Sequence, residues 1–319
     1  MIDLEVRKPL GSTGYLVPPL CVGTSSWGRL RDGESSAASE SRIAELADRS
    51  LGDDPRLRYI DTSNIYGDSH AETLIGKALA RIGGRPDDCV IQTKLDRDLA
   101  TNEFSASQMW RSLEQSLERL GLTRLQILFI HDPEVIGFEA AAAPGGPMEA
   151  LIEMKRRGLV ESIGISGGPV PMLQRFVDTR EFDMLITHNR YTLVDNSAAH
   201  LLETAQSLGM GVNNAAPYGG GGLSGRAGSA ERYGYRATPP AVRSAIEAMA
   251  RICEEADVPL RAAALQFSLR DPLVSSTVVG VSSNDRLDDA IADAAADIPD
   301  SLWEELERLR PSASYALDA

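Results

Sequence analysis

The chain has 319 residues, 43% hydrophobic and 24% charged, the make-up of an ordinary globular protein. Its 46 acidic and 32 basic side chains give a net charge of −14, a sign that repels phosphate backbones and argues against a nucleic-acid partner. Three widely spaced cysteines, Cys21, Cys89 and Cys253, argue against a disulfide framework and for a reducing, cytoplasmic setting. Neither a signal peptide nor a membrane span is expected, because no basic segment leads into an apolar core and no apolar run would cross a bilayer. In chain order, residues 7–17 place a Gly-Ser-Thr-Gly turn between two short apolar pieces and read as a hairpin. Short apolar, β-rich runs then recur at 20–22, 59–60, 89–93, 125–130, 162–165, 184–187, 210–212 and 277–281. Between them lie segments of helical spacing, among them 71–82, 107–120, 147–157, 172–178, 198–208 and 240–256.

The runs are almost continuously apolar, as expected of parallel strands covered on both faces. Eight strand–helix units suit an α/β protein of the closed (β/α)₈ TIM-barrel class, capped by the N-terminal hairpin and forming one domain over 1–319. An open doubly wound sheet would need a glycine fingerprint after its first strand, and GTSSWG lacks it. Two long loops, 136–146 and 219–240, follow the fourth and seventh strands and are candidates for the binding face. The tail after Pro311 reads as disordered.

What ends each strand is informative. The second run ends in Asp61, the third in Lys94, the fourth in His131, the fifth in Ser166, and the sixth reaches His188 and Asn189. In a barrel these ends share one rim, where active sites lie. Singly, each has a plain structural explanation: a strand-terminal Asp is a turn former, a Lys a surface charge, a His a satisfied core imidazole. Asp, Lys and His ending three consecutive strands, with Tyr66 in the loop after Asp61, form a proton-transfer set. A tyrosine hydroxyl titrates near 10, too high for neutral acid–base work, and an adjacent ammonium is expected to lower it. A carboxylate keeps the lysine charged, and a histidine N–H orients a substrate oxygen. Such a site needs a hydride carrier. The four histidines, His70, His131, His188 and His200, show no paired ligand spacing and no evident carboxylate cluster, so no metal is expected.

These residues resemble the aldo-keto reductase signature. DTSNIYGDSHAETLIGKAL is similar to its Asp-x-x-x-x-Tyr-Gly followed by Glu-x-x-x-Gly, and the likeness continues through GTSSWG, SLEQSLERLGL, GLVESIGIS and VVGVSS. The resemblance implies that Tyr66 is the acid in reduction and the base in oxidation, that Lys94 paired with Asp61 tunes it, and that His131 positions the substrate oxygen. It also implies an NAD or NADP site: Gly23, Thr24 and Asp61 near the nicotinamide ribose, and Ser166 and His188 at the carboxamide. Pro217, Gly221, Gly222, Leu223 and Gly225 would lie in the run that straddles the pyrophosphate, and Ser282, Ser283 and Arg286 at the adenosine end. Several positions depart from the family pattern: Gly167 where Asn is common, His188 for Gln, Ala215 for a stacking aromatic, and Gly280 where NADP-preferring members carry Lys. The last favours NAD, with Arg286 left as the cation there. Specificity is expected from Trp27, Tyr66, His131, the 136–146 loop and residues 218–235.

The stretches NRYTLVDNSAAHLLETAQSLGMGV and VPLRAAALQFSLRDPLVSSTVVG are similar to the branch of D-threo-aldose 1-dehydrogenase, L-fucose and L-galactose dehydrogenases and pyridoxal 4-dehydrogenase. That implies oxidation of a cyclic hemiacetal to a lactone. An NADPH-dependent aldehyde or ketone reductase is the alternative enzyme. A nucleotide-sensing subunit is the alternative of another class, disfavoured by the intact Asp61, Tyr66, Lys94 and His131 set. The partner is then a small molecule, and the sequence is silent on oligomeric state.

Overall fold

The computed structural model describes residues 2–30 and 33–318. Strands β1 (Lys8–Pro9) and β2 (Leu16–Val17) pair antiparallel and form the expected hairpin. The barrel strands are β3 (Leu20–Gly23), β4 (Tyr59–Asp61), β5 (Val90–Leu95), β6 (Leu125–His131), β7 (Val160–Gly167), β8 (Met184–His188) and β9 (Gly211–Ala215). A small hairpin of β10 (Arg232–Tyr233) and β11 (Arg236–Ala237) intervenes before the last of them, β12 (Ser276–Gly280). All eight run parallel beside their chain neighbours, and β12 pairs with both β9 and β3, closing the barrel. Every apolar run of the sequence supplies one strand, and seven of the eight strands reach further at the C-terminal end than the run, the exception being β12.

Helices α1 (Ser36–Leu51), α2 (His70–Arg81), α3 (Ala106–Leu120), α4 (Gly137–Ala141), α5 (Pro147–Arg156), α6 (Val170–Asp178) and α7 (Ala199–Ser207) precede the β10–β11 hairpin. It is followed by α8 (Pro240–Glu255), α9 (Leu260–Leu269), α10 (Asn284–Ala295) and α11 (Asp300–Arg308). Local chemistry sets their ends. Ser105 accepts a hydrogen bond from the Gln108 N–H at the start of α3, and Gly121 stops that helix in the left-handed conformation. The main core lies between strands and helices, and a second cluster fills the barrel, where Tyr59, Ile127, Phe129 and Met184 meet Leu10 and Val17 of the hairpin. Ser12 N–H donates to the Gly209 carbonyl at 2.8 Å, just before β9, so the hairpin caps the N-terminal end.

Two expectations fail. Residues 136–146 do not line the binding face: α4 packs outward on α6, with the Phe138 ring 4.7 Å from that of Phe176 and the Arg175 guanidinium 4.0 Å over it. An apolar face on α4, hidden in the run of alanines, finds its partner there. Residues 311–318 are not loose. Asp318 pairs with the buried Arg190 at 2.7 Å and accepts from Val170 N–H, and Leu317 N–H donates to Asp195. A buried guanidinium needs a counter-charge, and the tail brings it.

Candidate active site

The C-terminal strand ends open into a cleft of about 1760 Å³. At its floor the Lys94 ammonium, 1% exposed, lies 2.7 and 2.9 Å from the Asp61 oxygens and 2.7 Å from the Thr62 carbonyl. It also donates to Tyr66 Oη at 3.2 Å. Asp61 is held from below by Gln92 Nε2 at 2.7 Å, and Gln92 in turn by Tyr59 and by Asn213 Nδ2 at 3.1 Å. This polar chain crosses the barrel interior, so the carboxylate is fixed by side chains on β4, β5 and β9. The loop bearing Tyr66 is pinned from behind: Arg119 of α3 donates to the Asn64 carbonyl at 2.9 Å and pairs with the buried Glu72 at 3.2 Å.

His131 lines the cleft with its ring edge-on to Tyr66, centroids 5.7 Å apart. Its Nδ1 lies 2.6 Å from Asp96 Oδ1, and Ser63 donates to the other oxygen of that carboxylate. Burial would lower the His131 pKa, but the charges of Asp96 and Asp132 outweigh it and raise the imidazole above its ordinary value. For Lys94 burial again opposes the charge, and Asp61 and Tyr66 prevail, holding it protonated. Tyr66 runs against expectation. Burial lifts its hydroxyl well above the usual value, and the neighbouring Lys94 only partly offsets that lift.

Gly23, Ser166, His188, Pro217, Gly221, Ser282 and Arg286 line the cleft with the four central residues. Others sit behind the wall. Thr24 is fully buried, its N–H donating to the Asp61 carbonyl; Leu223 is core; Gly222 faces the Arg232 carbonyl and Gly225 the Leu260 side chain. Ser283 caps α10 by accepting from Arg286 N–H. Trp27 does not line the cleft: it is 0% exposed and its indole N–H donates to the Val281 carbonyl at 3.0 Å.

Several lining groups escape the sequence reading. Asp132 is left-handed at φ 47°, not extended as its place before proline suggests, with its N–H donating to the Ser166 carbonyl. That turn brings it beside Glu134 and His188, one nitrogen or oxygen atom of each within 4.8 Å of the others, a carboxylate cluster that spacing along the chain does not reveal. Burial first, then Asp132, raises the Glu134 carboxyl. The space that a side chain at position 167 would fill is taken by Glu134, whose Oε2 would lie 2.9 Å from a Cβ there. Asp96 did leave a signal, since positions 94 and 96 share one face of an extended strand. Leu30, Leu99 and Tyr235 are exposed apolar residues of the cleft lining.

The residues fit a nicotinamide dinucleotide. Buried Asp132 Oδ1 and Glu134 Oε2 accept no hydrogen bond from the described residues, although His188 Nε2 lies 3.8 Å from the first, and both suit an amide NH₂. Gly221, at φ 106°, offers open backbone along the cleft wall, a conformation that a side chain would strain.

The family model described as "Aldo/keto reductase family" matches residues 19–311. The chain belongs to the aldo/keto reductase family. This aldo/keto reductase is 31% identical to the D-threo-aldose 1-dehydrogenase of a Pseudomonas species, over 94% of this chain and 96% of that one. It is 27% identical to pyridoxal 4-dehydrogenase of Microbacterium luteolum over the same shares, and 29% identical to L-galactose dehydrogenase of Arabidopsis thaliana over 92% and 88%. A crystal structure of an aldo-keto reductase from Pseudomonas aeruginosa superposes with a TM-score of 0.63 over 92% of this chain and 96% of that one, at 24% identity, and so shares the fold. The protein is an oxidoreductase of the nicotinamide-dependent kind, and none of its described helices is long and apolar enough to cross a membrane.

Proposed function

We propose that this reductase works as an aldose 1-dehydrogenase, oxidising a cyclic hemiacetal to a lactone. The observation that carries the reading is the convergence of Tyr66 and His131 above the buried Lys94–Asp61 pair. Two polar groups there frame one substrate oxygen. When bound, the oxidised nicotinamide supplies the hydride acceptor for the anomeric carbon. Asp68, His70, Asp132 and Glu134 give the walls acceptors suited to a polyol, and the relatives named for aldose and galactose oxidation agree with that. The test is formation of reduced nicotinamide with L-fucose, L-galactose, D-arabinose, pyridoxal and simple alcohols. Sugar-dependent turnover that falls about 10²-fold or more in Tyr66→Phe supports the reading. Silence with every sugar, beside reduction of test aldehydes by NADPH, replaces it with a carbonyl reductase. One observation favours that second reading, since the Asp96 and Asp132 carboxylates beside His131 favour its protonated form, the form that donates to a carbonyl oxygen from either ring nitrogen.

NAD is the proposed cofactor. Arg286 is paired with Asp289 at 2.9 Å, and Arg261, the other cation at this end of the cleft, is paired with Asp293 at 2.9 Å, so neither guanidinium is left without a counter-charge. Both carboxylates oppose an added phosphate. A side chain at position 280 has room, its Cβ meeting only Ser25 Oγ at 3.7 Å. Gly280→Lys should therefore tighten NADP⁺ binding by about tenfold with little change for NAD⁺, measured by fluorescence titration. Wild-type protein that already binds NADP⁺ more tightly than NAD⁺ would refute the preference.

A further inference from the structure

Asp132, Glu134 and His188 come together through the fold alone. Asp132 and Glu134 follow β6, His188 ends β8, and β7 runs between those two strands. One nitrogen or oxygen atom of each lies within 4.8 Å of the others. His188 Nε2 is 3.8 Å from Asp132 Oδ1. That is too long for a hydrogen bond. It is close to the roughly 3.3–3.6 Å that separates two ligands on a tetrahedral zinc ion with bonds of about 2.0–2.2 Å.

Each of the three side chains has a support of its own. Asp132 stands on left-handed backbone, with its N–H donating to the Ser166 carbonyl at 2.8 Å. Glu134 Oε1 accepts from the Gly168 N–H at 3.2 Å, which leaves Oε2 for the centre of the group, and the missing side chain at Gly167 makes the room. Neither Asp132 Oδ1 nor Glu134 Oε2 accepts a hydrogen bond from the described residues, although both atoms are buried. Two bare carboxylate oxygens side by side repel each other, and a cation between them removes that cost. On the far edge of the His188 ring, Nδ1 lies 3.0 Å from the side-chain nitrogen of Asn189. Asn189 is fully buried, and its Oδ1 has no partner among the described residues. A half-turn of that amide lets Oδ1 accept the Nδ1 hydrogen and bares Nε2 toward Asp132. Outer hydrogen bonds of this kind orient the ligands of a metal.

We propose that Asp132, Glu134 and His188 form a Zn²⁺ site. Two carboxylate oxygens and one imidazole nitrogen suit Zn²⁺, whereas Mg²⁺ and Ca²⁺ prefer oxygen alone. Three protein ligands leave the fourth position open to the cleft, where water completes the shell. Asp132 Oδ1 and Glu134 Oε2 are also the acceptors that suit the nicotinamide amide, so metal and dinucleotide exclude each other. That exclusion rests on the placement of the cofactor given above; the metal site does not. The site is inhibitory, and the ion takes no part in the reaction.

The test is calorimetric titration of the metal-free protein with ZnCl₂, with neither cofactor nor sugar present. One Zn²⁺ per chain should bind at a site that Glu134→Gln weakens about 10²-fold or more, since losing a ligand costs at least as much as losing a supporting residue. The glutamine keeps an oxygen for the Gly168 N–H and removes the charge. Asp132→Asn should weaken the site as much, and it keeps the test available if the first variant does not fold, because asparagine tolerates left-handed backbone. His200→Ala is the control. His200 Nδ1 lies 3.5 Å from Glu203 on the surface of α7, a pair that could also attract the ion, and its loss should leave the titration unchanged. A wild type that binds no zinc, or binds it no more tightly than Glu134→Gln and Asp132→Asn, overturns the site, as does binding lost in His200→Ala. Titration with NAD⁺ at rising Zn²⁺ tests the exclusion. The apparent Kd for NAD⁺ should rise in proportion to Zn²⁺ in the wild type and stay level in Glu134→Gln. A wild-type NAD⁺ affinity indifferent to Zn²⁺, beside zinc binding that both variants lose, keeps the metal site and overturns the exclusion. No step uses a substrate, so a failure to oxidise sugars would defeat the dehydrogenase reading alone.

Discussion

Replacing Lys94 by methionine should cost this protein both its chemistry and a large part of its stability. Methionine nearly conserves the volume, so packing is not the issue. The loss is the counter-charge: Asp61 would keep only the Gln92 hydrogen bond in a site where its side chain is 6% exposed. Removing one partner of a buried pair leaves an uncompensated charge and destabilises by roughly 3–5 kcal/mol. Turnover should fall by about 10³-fold or more, since Tyr66 loses the ammonium that accounts for its orientation. The two losses are separable. Lys94→Met with Asp61→Asn has no buried charge left, so its urea midpoint should return most of the way to wild type while kcat stays low. A double variant as unstable as the single one would show that the lysine acts through packing and not through charge.

How far the sequence led depends on whether the deciding force is local. Each barrel strand was legible because both its faces are apolar, and Asp61, Lys94 and His131 were legible because a polar residue ends each such run. Glu134 was not, and Asp96 left only its spacing two residues after Lys94, although both line or support the cleft. Glu134 reaches it only because Asp132 turns left-handed, and Asp96 meets His131 only across the β5–β6 register. Trp27 looked like a specificity residue because aromatic side chains near a rim so often are, and its burial follows from the β12 end lying over it. The direction of the Tyr66 shift was misjudged for the same reason. An adjacent lysine can be read from the sequence, but the depth of burial that outweighs it cannot. Helices α1, α9, α10 and α11 did not stand out as the named segments did. Leu260–Leu269 in particular is buried nearly all round and so lacks a polar face to mark its period.

The glycine after Tyr66 makes the second large prediction and returns Trp27 to the argument. A Cβ on Gly67 would lie 1.7 Å from the Trp27 carbonyl oxygen and 2.8 Å from its carbon, and Gly67 sits at φ 58°. Both obstacles are backbone, so no rotamer change relieves them. Gly28 is locked in reverse, its Cβ position 2.9 Å from the Gly67 carbonyl. Two chain segments therefore meet where neither has a side chain, and buried Trp27, tied to Val281, holds one segment against the other. Gly67→Ala must push this contact apart, and Tyr66 is the next residue. Strain and overpacking together should lower stability by roughly 2–4 kcal/mol. A displacement of Tyr66 by about 1 Å should reduce kcat/KM about 10²-fold, because proton transfer depends so steeply on position. Gly83→Ala is the control, with the same sign of φ at 83° and nothing within 4 Å. It should lose roughly 1 kcal/mol through strain alone and keep full activity. Equal effects from the two substitutions would mean that backbone conformation, and not the contact with Trp27, fixes the tyrosine.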